Sequence, residues 1–407
     1  MTTLTPATVP AGLAEAPPTA RRWLGNGRSV KADARTAGAQ AASTALAGRT
    51  ASLVIVFCPV SMDLEAMLDG VRSEAGDVPL IGCTGNPLFT GDTTTEPSVA
   101  VSALGGDGFE VAVSVALNVT AGQRAAGVQV AEPVATLTRE HQVLLMLCDG
   151  LAGDGHEVVR GAYSVVGASV PLVGGCAADD LAMVETFQFY SDADGVHVVS
   201  DALVAAAIGS DAPIGVGVAH GWHRVGEPML VTESADGLVR TLDGEPALDV
   251  FLDRTDAPPS IISDAKAFQT FCLQHPFGIS RRDNEDLRCV TDGNPENGSL
   301  ICLVDVPQGA LIWMMEPRAD SLIACVDDAF DDALAPLDGQ QPLGFLAFDC
   351  IARHAVIGAD GMAGELDRLV DRATGAPLTG FVTYGEVARI RGSRGMHQLT
   401  LVLVAFA

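Results

Sequence analysis

One short pattern occurs twice in the chain and constrains its architecture more than any other feature. "VPLIGCTG" occupies residues 78–85, and "VPLVGGCAAD" occupies residues 170–179. An apolar run that reaches a cysteine precedes each copy, "LVIVFCPV" at 53–60 and "VLLMLCDG" at 143–150, and apolar residues at helical spacing lie in between. Strand-like segments follow both copies. Because internal repetition reflects repeated architecture, we predict a strand–helix–strand–strand–strand unit that occurs twice.

A weaker third copy lies near the C-terminus. "LGFLAFDC" at 343–350 is an apolar run that ends in cysteine, "APLTGFVTYGE" at 376–386 repeats the Pro-Leu-x-Gly pattern, and a strand-like segment at 398–407 closes the chain. Each unit has consecutive strands after its helix, which argues against purely parallel winding. We therefore predict an α/β fold with mixed α+β layers, built on a mixed sheet that could be two sheets packed face to face, with helices outside.

Composition changes and chain breaks suggest the domain organisation. The first residues are rich in Thr, Pro and Ala, and we expect 1–33 to be a disordered tail. The proline-rich stretch "APPS" at 257–260 is the predicted boundary between two domains. The first domain would cover 34–256 with two repeats, and the second would cover 257–407 with the third, weaker repeat.

The charge and cysteine content exclude several classes of function. The chain has 407 residues with 24 Lys and Arg against 51 Asp and Glu, a formal net charge of −27, so we expect no nucleic-acid partner. No apolar window is long enough to predict a membrane span. The nine cysteines include no Cys-x-x-Cys pair and no Cys/His cluster with zinc spacing, which predicts no metal site and favours a reducing cytoplasm.

Several segments together resemble a known family. They are "GCTG" at 82–85, "CDGLAGDGHEVVRG" at 148–161, "VPLVGGCAADD" at 170–180, "LDGEPALDVF" at 242–251 and "GFVTYGEV" at 380–387. In this order they resemble the FIST (F-box and intracellular signal transduction) sensory proteins, which combine a FIST N-terminal and a FIST C-terminal domain. The resemblance covers about 35–395 of the chain.

The resemblance implies a sensor of small intracellular ligands. Amino acids are the ligands suggested for the family, and a subset resembles haem proteins that sense nitric oxide. No segment of the sequence reads as an output domain, so we expect signalling through a separate partner protein, such as a histidine kinase or a cyclic-nucleotide enzyme.

The first candidate ligand-binding residues follow two predicted strands. They lie in "GGCAADD" at 174–180 and in "CDG" at 148–150. Gly174 and Gly175 lack side chains, so a ligand could approach their backbone N–H groups. Asp179 and Asp180 follow as carboxylates that could hold an amine, at the end of a strand where α/β ligand sites form. Asp149 lies at another strand end, where it could bind the ligand or cap the next helix.

The third repeat adds the remaining candidates for the binding site. Arg353 follows an apolar strand and could clamp a carboxylate through two parallel hydrogen bonds. Tyr384 and Glu386 follow the next strand, and Glu386 could receive the amine of an amino acid. A ligand that bridges Asp180 and Arg353 would close the two domains together. Arg353 and Glu386 could equally form a structural ion pair.

Two alternative functions remain open from the sequence. A haem-based sensor would use His220 as the axial ligand, with His354 as second choice, and the haem would be non-covalent because no Cys-x-x-Cys-His motif occurs. A hydrolase or transferase would use Cys350, or Cys176, as the nucleophile. Neither a Gly-x-Ser-x-Gly elbow nor a phosphate-binding loop motif is present, so we expect that the protein is not an enzyme.

Overall fold

A computed structural model describes residues 21–91, 96, 98–153, 155–280, 285–390 and 395–407. The helices are α1 (Ala34–Leu46), α2 (Leu64–Ala75), α3 (Gln123–Ala131), α4 (Gly155–Val166), α5 (Ala247–Arg254), α6 (Ala265–Gln274), α7 (Ala319–Leu334) and α8 (Ile351–Ala373). Helix α8 is kinked at Gly358, where the backbone leaves the helical region. None of the helices in these ranges is both long enough and apolar enough to cross a membrane.

The strands of these ranges follow in chain order. They are β1 (Trp23–Ser29), β2 (Leu53–Cys58), β3 (Leu80–Thr84), β4 (Leu88–Phe89), β5 (Val99–Gly105), β6 (Phe109–Leu117), β7 (His141–Cys148), β8 (Leu172–Cys176), β9 (Gln188–Asp192), β10 (Gly195–Val199), β11 (Ala202–Ser210), β12 (Ile214–Ala219), β13 (Trp222–Ala235), β14 (Leu238–Leu242), β15 (Glu245–Pro246), β16 (Phe277–Ser280), β17 (Glu285–Arg288), β18 (Val290–Asn294), β19 (Ser299–Cys302), β20 (Leu311–Pro317), β21 (Gly344–Cys350), β22 (Leu378–Thr383), β23 (Glu386–Arg389), β24 (Gly395–His397) and β25 (Leu401–Phe406).

The strands form four mixed or antiparallel sheets. Sheet 1 has the order β1-β5-β2-β3-β9-β10, sheet 2 has β24-β23-β8-β7-β11-β6, and sheet 3 has β12-β25-β21-β22-β4. Sheet 4 has the order β17-β16-β20-β13-β14-β19-β18, with β15 paired to β14. The predicted α/β fold with mixed sheets is confirmed, but the sequence suggested two sheets face to face, whereas three pack around one core.

Sheets 1, 2 and 3 share one arrangement. Each contains a parallel pair joined by a helix, namely β2 with β3, β7 with β8, and β21 with β22. An antiparallel strand flanks each pair, namely β5, β11 and β25. On the other side, each pair receives a strand from elsewhere in the chain, since β9 pairs with β3, β23 with β8, and β4 with β22. This exchange of strands β4, β9 and β23 connects the three sheets to one another.

The core follows from this exchange of strands. The inward faces of the three sheets meet in a single apolar core that contains Phe57, Leu145 and Phe348. The outward faces are covered by helix pairs, α1 with α2 on sheet 1, α3 with α4 on sheet 2, and α7 with α8 on sheet 3. Burial on both faces explains why the central strands read as continuous apolar runs in the sequence.

Sheet 4 packs with α5 and α6 around a core of its own. The segment that forms sheet 4 lies between β12 and α7 in the sequence. The boundary predicted at 257 falls inside this segment, between α5 and a short 3-10 helix at Pro259–Ser263. Strands of sheet 4 lie on both sides of that point in the sequence. For example, β13, which precedes it, pairs antiparallel with β20, which follows it.

The predicted disordered tail is corrected in part. Residues 1–20 lie outside the described residues, but Trp23–Ser29 form β1, which pairs with β5 along its whole length. The sequence "WLGNGRS" gives little strand signal by itself. Burial of Trp23 and Leu24, and the Arg49 guanidinium stacked 3.9 Å from the centre of the Trp23 ring, hold the strand in place.

Candidate functional site

A cavity of about 540 Å³ lies at the carboxyl ends of β7 and β8. One wall comes from sheet 2 and its connections, and includes the 148–153 segment, Cys176 and Tyr384. The opposite wall comes from sheet 4, and includes Asp236, Gly237 and the 302–305 segment. The carboxyl edge of parallel strands is where α/β proteins bind their ligands, and this volume suits a small molecule.

Asp149 is the predicted site residue that lies most directly at this cavity. Its Oδ1 accepts hydrogen bonds from the Leu151 N–H and the Thr186 hydroxyl, both at 2.8 Å. Its Oδ2 accepts one from the Asp201 N–H at 2.8 Å. Asp149 therefore fixes the loop after β7 and the start of β11, and a ligand would meet a carboxylate whose position is already set.

Asp179 and Tyr384 act together beside the same cavity. Asp179 accepts hydrogen bonds from the N–H groups of Met183, Val184 and Glu185, at 2.9, 2.7 and 3.0 Å, and from the Tyr384 hydroxyl. Burial alone would raise the pKa of Asp179, but these donors hold it below its ordinary value. Burial and the neighbouring carboxylate raise the pKa of Tyr384 to about 12.

This pair organises the loop that follows β8. Tyr384 also accepts a hydrogen bond from the Leu181 N–H at 2.8 Å. The backbone is left-handed at Asp180, Leu181 and Met183, a conformation that costs free energy and persists only where contacts enforce it. The loop exposes Leu181, Met183 and Val184, and Met183 also lines the cavity. Asp180 itself is exposed and does not line it.

The two predicted glycines have a packing role within β8. Gly174 has a φ of 139°, and a Cβ there would lie 1.9 Å from the Met146 carbonyl oxygen of β7. A Cβ on Gly175 would lie 2.6 Å from the Thr383 Cγ2. Both glycines are buried and neither lines the cavity. Their predicted approach to a ligand is therefore corrected: they let neighbouring strands come close.

Arg353 is also placed differently from the prediction. It is fully buried in the first turn of α8 and donates through Nε to Asp349 (2.7 Å), through Nη1 to the His220 carbonyl (2.8 Å), and through Nη2 to the Leu322 carbonyl (2.9 Å) and Glu365. Because its guanidinium is buried and bonded to protein groups, Arg353 is not presented to a ligand carboxylate, and Asp180 is not among its partners. The predicted ion pair with Glu386 is also wrong, because its partners are Asp349 and Glu365.

A cluster of charged side chains that the sequence did not reveal surrounds Arg353. Each of these side chains, Asp349, His354 and Glu365, offers one potential metal-ligating atom, and the three atoms lie within 4.8 Å of one another. Within the described part of the chain, this group could hold a metal ion. Burial would raise the pKa of Asp349, yet Arg353 and His354 hold it at about 2. Burial raises the pKa of Glu365 to about 7. Burial would lower the pKa of His354, but Asp349 keeps it above its ordinary value.

Glu386 is fully buried, and no cationic side chain within the described ranges pairs with it. Its carboxyl lies between the Thr383 hydroxyl and the Thr400 hydroxyl, the latter at 2.8 Å. Burial raises its pKa to about 8, which favours the protonated carboxyl near neutral pH. Glu386 therefore belongs to the interior, and its predicted contact with a ligand amine is corrected.

Of the residues of the two alternative functions, His220, His354 and Cys350 lie away from the cavity, whereas Cys176 lines it. His220 is buried, its Nδ1 accepts from the Trp222 N–H at 3.0 Å, and its Nε2 lies 3.8 Å from Glu285. Both ring nitrogens thus face protein groups, so the surroundings do not fit a haem axial ligand. Burial raises the pKa of the Cys350 thiol well above its ordinary value, which opposes the thiolate that a nucleophile needs.

The chain is similar in sequence to proteins of two organisms. An uncharacterized protein of Mycobacterium tuberculosis is 24% identical over 396 residues, which cover 94% of this chain and 99% of that protein. An uncharacterized protein of Methanocaldococcus jannaschii is 24% identical over 333 residues, which cover 76% of this chain and 62% of that protein. A crystal structure of a cyanuric acid hydrolase from A. caulinodans aligns over 46% of this chain and 71% of its own, at 13% identity and a TM-score of 0.27, too low to assign a shared fold.

Family models cover most of the chain, in the order that the sequence motifs indicate. The FIST N domain matches residues 52–245, and the FIST C domain matches residues 247–389. FIST domains are associated with sensing in signal transduction, and the relatives described above carry no assigned ligand. The chain belongs to the FIST family, with a FIST N domain followed by a FIST C domain.

Proposed function

We propose that the protein is a small-ligand sensor that binds a metabolite, such as an amino acid, in the cavity between sheets 2 and 4. The proposal rests on one observation: the two walls of the cavity come from different parts of the fold. Cys148 and Asp149 on one side lie at the end of β7 in sheet 2, whereas Asp236 and Asp305 on the other side lie in the segment that forms sheet 4, which has a core of its own. A ligand between them contacts two parts of the chain at once.

The lining supports a small molecule with an amine and an apolar part. Carboxylates line both walls, with Asp149 on the sheet 2 wall and Asp236 and Asp305 on the sheet 4 wall. Asp305 accepts a hydrogen bond from the Gly237 N–H at 2.6 Å, which fixes its position on the sheet 4 wall. Thioether and aliphatic groups complete the lining, including Met183 and Leu303. An amine would gain charge-assisted hydrogen bonds from such carboxylates.

The signal would arise from a shift between two arrangements of the walls. A ligand that contacts both walls stabilises the closed arrangement by its differential affinity for it. The loop at 180–184 borders the cavity through Met183 and exposes Leu181 and Val184 on the surface. We expect this loop to move with occupancy and to present its apolar side chains to a separate signalling protein.

A matched pair of leucines tests the location of the ligand. Leu303 is 56% exposed and lines the cavity, while Leu311 is 50% exposed and does not. We would screen the twenty amino acids by thermal shift and calorimetry against the unchanged protein, Leu303→Trp and Leu311→Trp. A ligand in the cavity should bind the unchanged protein and Leu311→Trp, and bind Leu303→Trp at least about tenfold more weakly, a loss of about 1.4 kcal/mol. Equal affinity for both variants would place the ligand elsewhere.

A further inference from the structure

A second cavity of about 540 Å³ is lined by more basic than acidic side chains, although the whole protein is acidic. It lies between α3 and α4 on one side and the loop after β19 on the other. Arg124, Arg160, Arg288 and Arg389 line it, together with His156 and Tyr163. The chain contains only 24 basic residues against 51 acidic ones, so four arginines in one cavity stand out from the acidic surroundings.

Two of the arginines form a fixed part of the lining. Arg288 is 1% exposed and donates to both carboxylate oxygens of Asp286 at 2.9 Å, and through Nε to the Asp305 carbonyl at 3.0 Å. The Arg389 guanidinium stacks on Tyr163, 3.6 Å from the centre of the ring. Planar guanidinium groups held in this way cost little conformational entropy when they meet an anion.

The other two arginines are adjustable. Arg124 on α3 and Arg160 on α4 share one carboxylate, Glu157, at 3.7 and 2.6 Å, and their side chains are 62% and 64% exposed. Each guanidinium has five N–H donors, so one shared carboxylate leaves capacity for a further acceptor. Three carboxylates, Asp286 beside Arg288, Glu157 between Arg124 and Arg160, and Asp305 in the lining, stand against the four positive charges of the arginines.

We propose that this cavity binds a small multivalent anion that carries phosphate groups. Guanidinium groups pair with phosphate oxygens through two parallel hydrogen bonds, and several of them together favour an anion with more than one charge. The volume lies within the range of small-molecule sites. This anion site is distinct from the amine-binding cavity, although both are lined by Val304 and Asp305.

The test uses inorganic pyrophosphate as the probe, with orthophosphate and citrate for comparison, by isothermal titration calorimetry at constant ionic strength. The variant is the double substitution Arg124→Gln with Arg160→Gln. The control is Arg35→Gln with Arg72→Gln, which changes the net charge equally on α1 and α2, where the arginines also pair with carboxylates, Asp69 and Asp77. Exposed pairs contribute little to stability, so both proteins should fold.

We expect pyrophosphate to bind with one-to-one stoichiometry, more tightly than orthophosphate. Its affinity should fall at least about tenfold in the cavity variant, since two charge-assisted hydrogen-bonding groups are lost, and should change less than about twofold in the control. Absence of saturable pyrophosphate binding, or an equal loss in both double variants, would overturn the proposal. Tighter binding of citrate than of pyrophosphate would overturn the assignment to phosphate. None of these outcomes depends on the amino-acid screen.

Discussion

The substitution Glu386→Gln should make the protein more stable at alkaline pH. Glu386 is fully buried, and its pKa is raised from 4.5 to about 8 by burial. A rise of this size corresponds to about 5 kcal/mol that favours the protonated carboxyl in the folded state, as an upper limit. Glutamine resembles that protonated form, because it is neutral, has nearly the same shape, and its amide oxygen can accept from the Thr400 hydroxyl as the Glu386 carboxyl does.

The sign of the effect follows from the direction of the pKa change. Because the folded pKa lies above the unfolded one, the contribution of Glu386 is fully present below about pH 4.5 and is lost as the pH rises through about 8. The glutamine side chain does not ionise, so the variant does not lose this stability as the pH rises. Glu365 has the same sign, with a pKa raised to about 7, but it is present in both proteins and cancels in the difference.

Urea unfolding at pH 5, 7 and 9 measures this difference. We expect the free energy of unfolding of Glu386→Gln relative to the unchanged protein to increase with pH, by several kcal/mol between pH 5 and pH 9. The control is Glu245→Gln on the exposed strand β15, which should not show this increase. Parallel pH profiles for Glu386→Gln and the unchanged protein would refute the assignment of a buried, protonated carboxyl.

Two further substitutions test the interior contacts, each against a matched control. Arg353→Met leaves Asp349 and Glu365 buried without the arginine, with His354 as their remaining partner, and should lower the free energy of unfolding by about 3–5 kcal/mol, whereas Arg35→Met at an exposed pair should cost about 1 kcal/mol or less. Similar decreases in the free energy of unfolding for the two variants, measured by chemical denaturation, would contradict the burial of the cluster around Arg353. Gly174→Ala and Gly195→Ala share a φ near 140°, but only the first meets a backbone atom, at 1.9 Å, and nothing lies within 4 Å of the second. We expect a much larger drop in melting temperature for Gly174→Ala, and equal drops would contradict the close approach of β7 and β8.

Local pattern was sufficient to predict part of the fold. The apolar runs, the helical spacing and the Pro-Leu-x-Gly stretches correspond to parallel pairs such as β2 with β3. The sequence could not show that β4, β9 and β23 each join a sheet other than the one that the preceding strands form, since that pairing depends on contacts between distant segments. Sheet 4 was missed as a separate unit for the same reason.

The candidate site was predictable only where residues follow a strand directly. Asp149 and Tyr384 do line the cavity, as a position after a strand suggests. Arg353 also follows a strand, but its side chain turns inward because Glu365, from the far part of α8, completes its partners. The arginines of the second cavity come from four separate elements or loops, so no local sequence pattern could reveal them.

Native mass spectrometry tests the central claim, that a small molecule occupies the cavity between sheets 2 and 4, most directly. Freshly purified protein and Leu303→Trp, prepared in parallel, would be measured as isolated and again with a mixture of the twenty amino acids. We expect a non-covalent adduct of metabolite size on the unchanged protein and its loss or marked reduction on Leu303→Trp. An adduct that the tryptophan variant retains undiminished, or an unchanged protein that stays at its bare mass in the mixture, would contradict the claim.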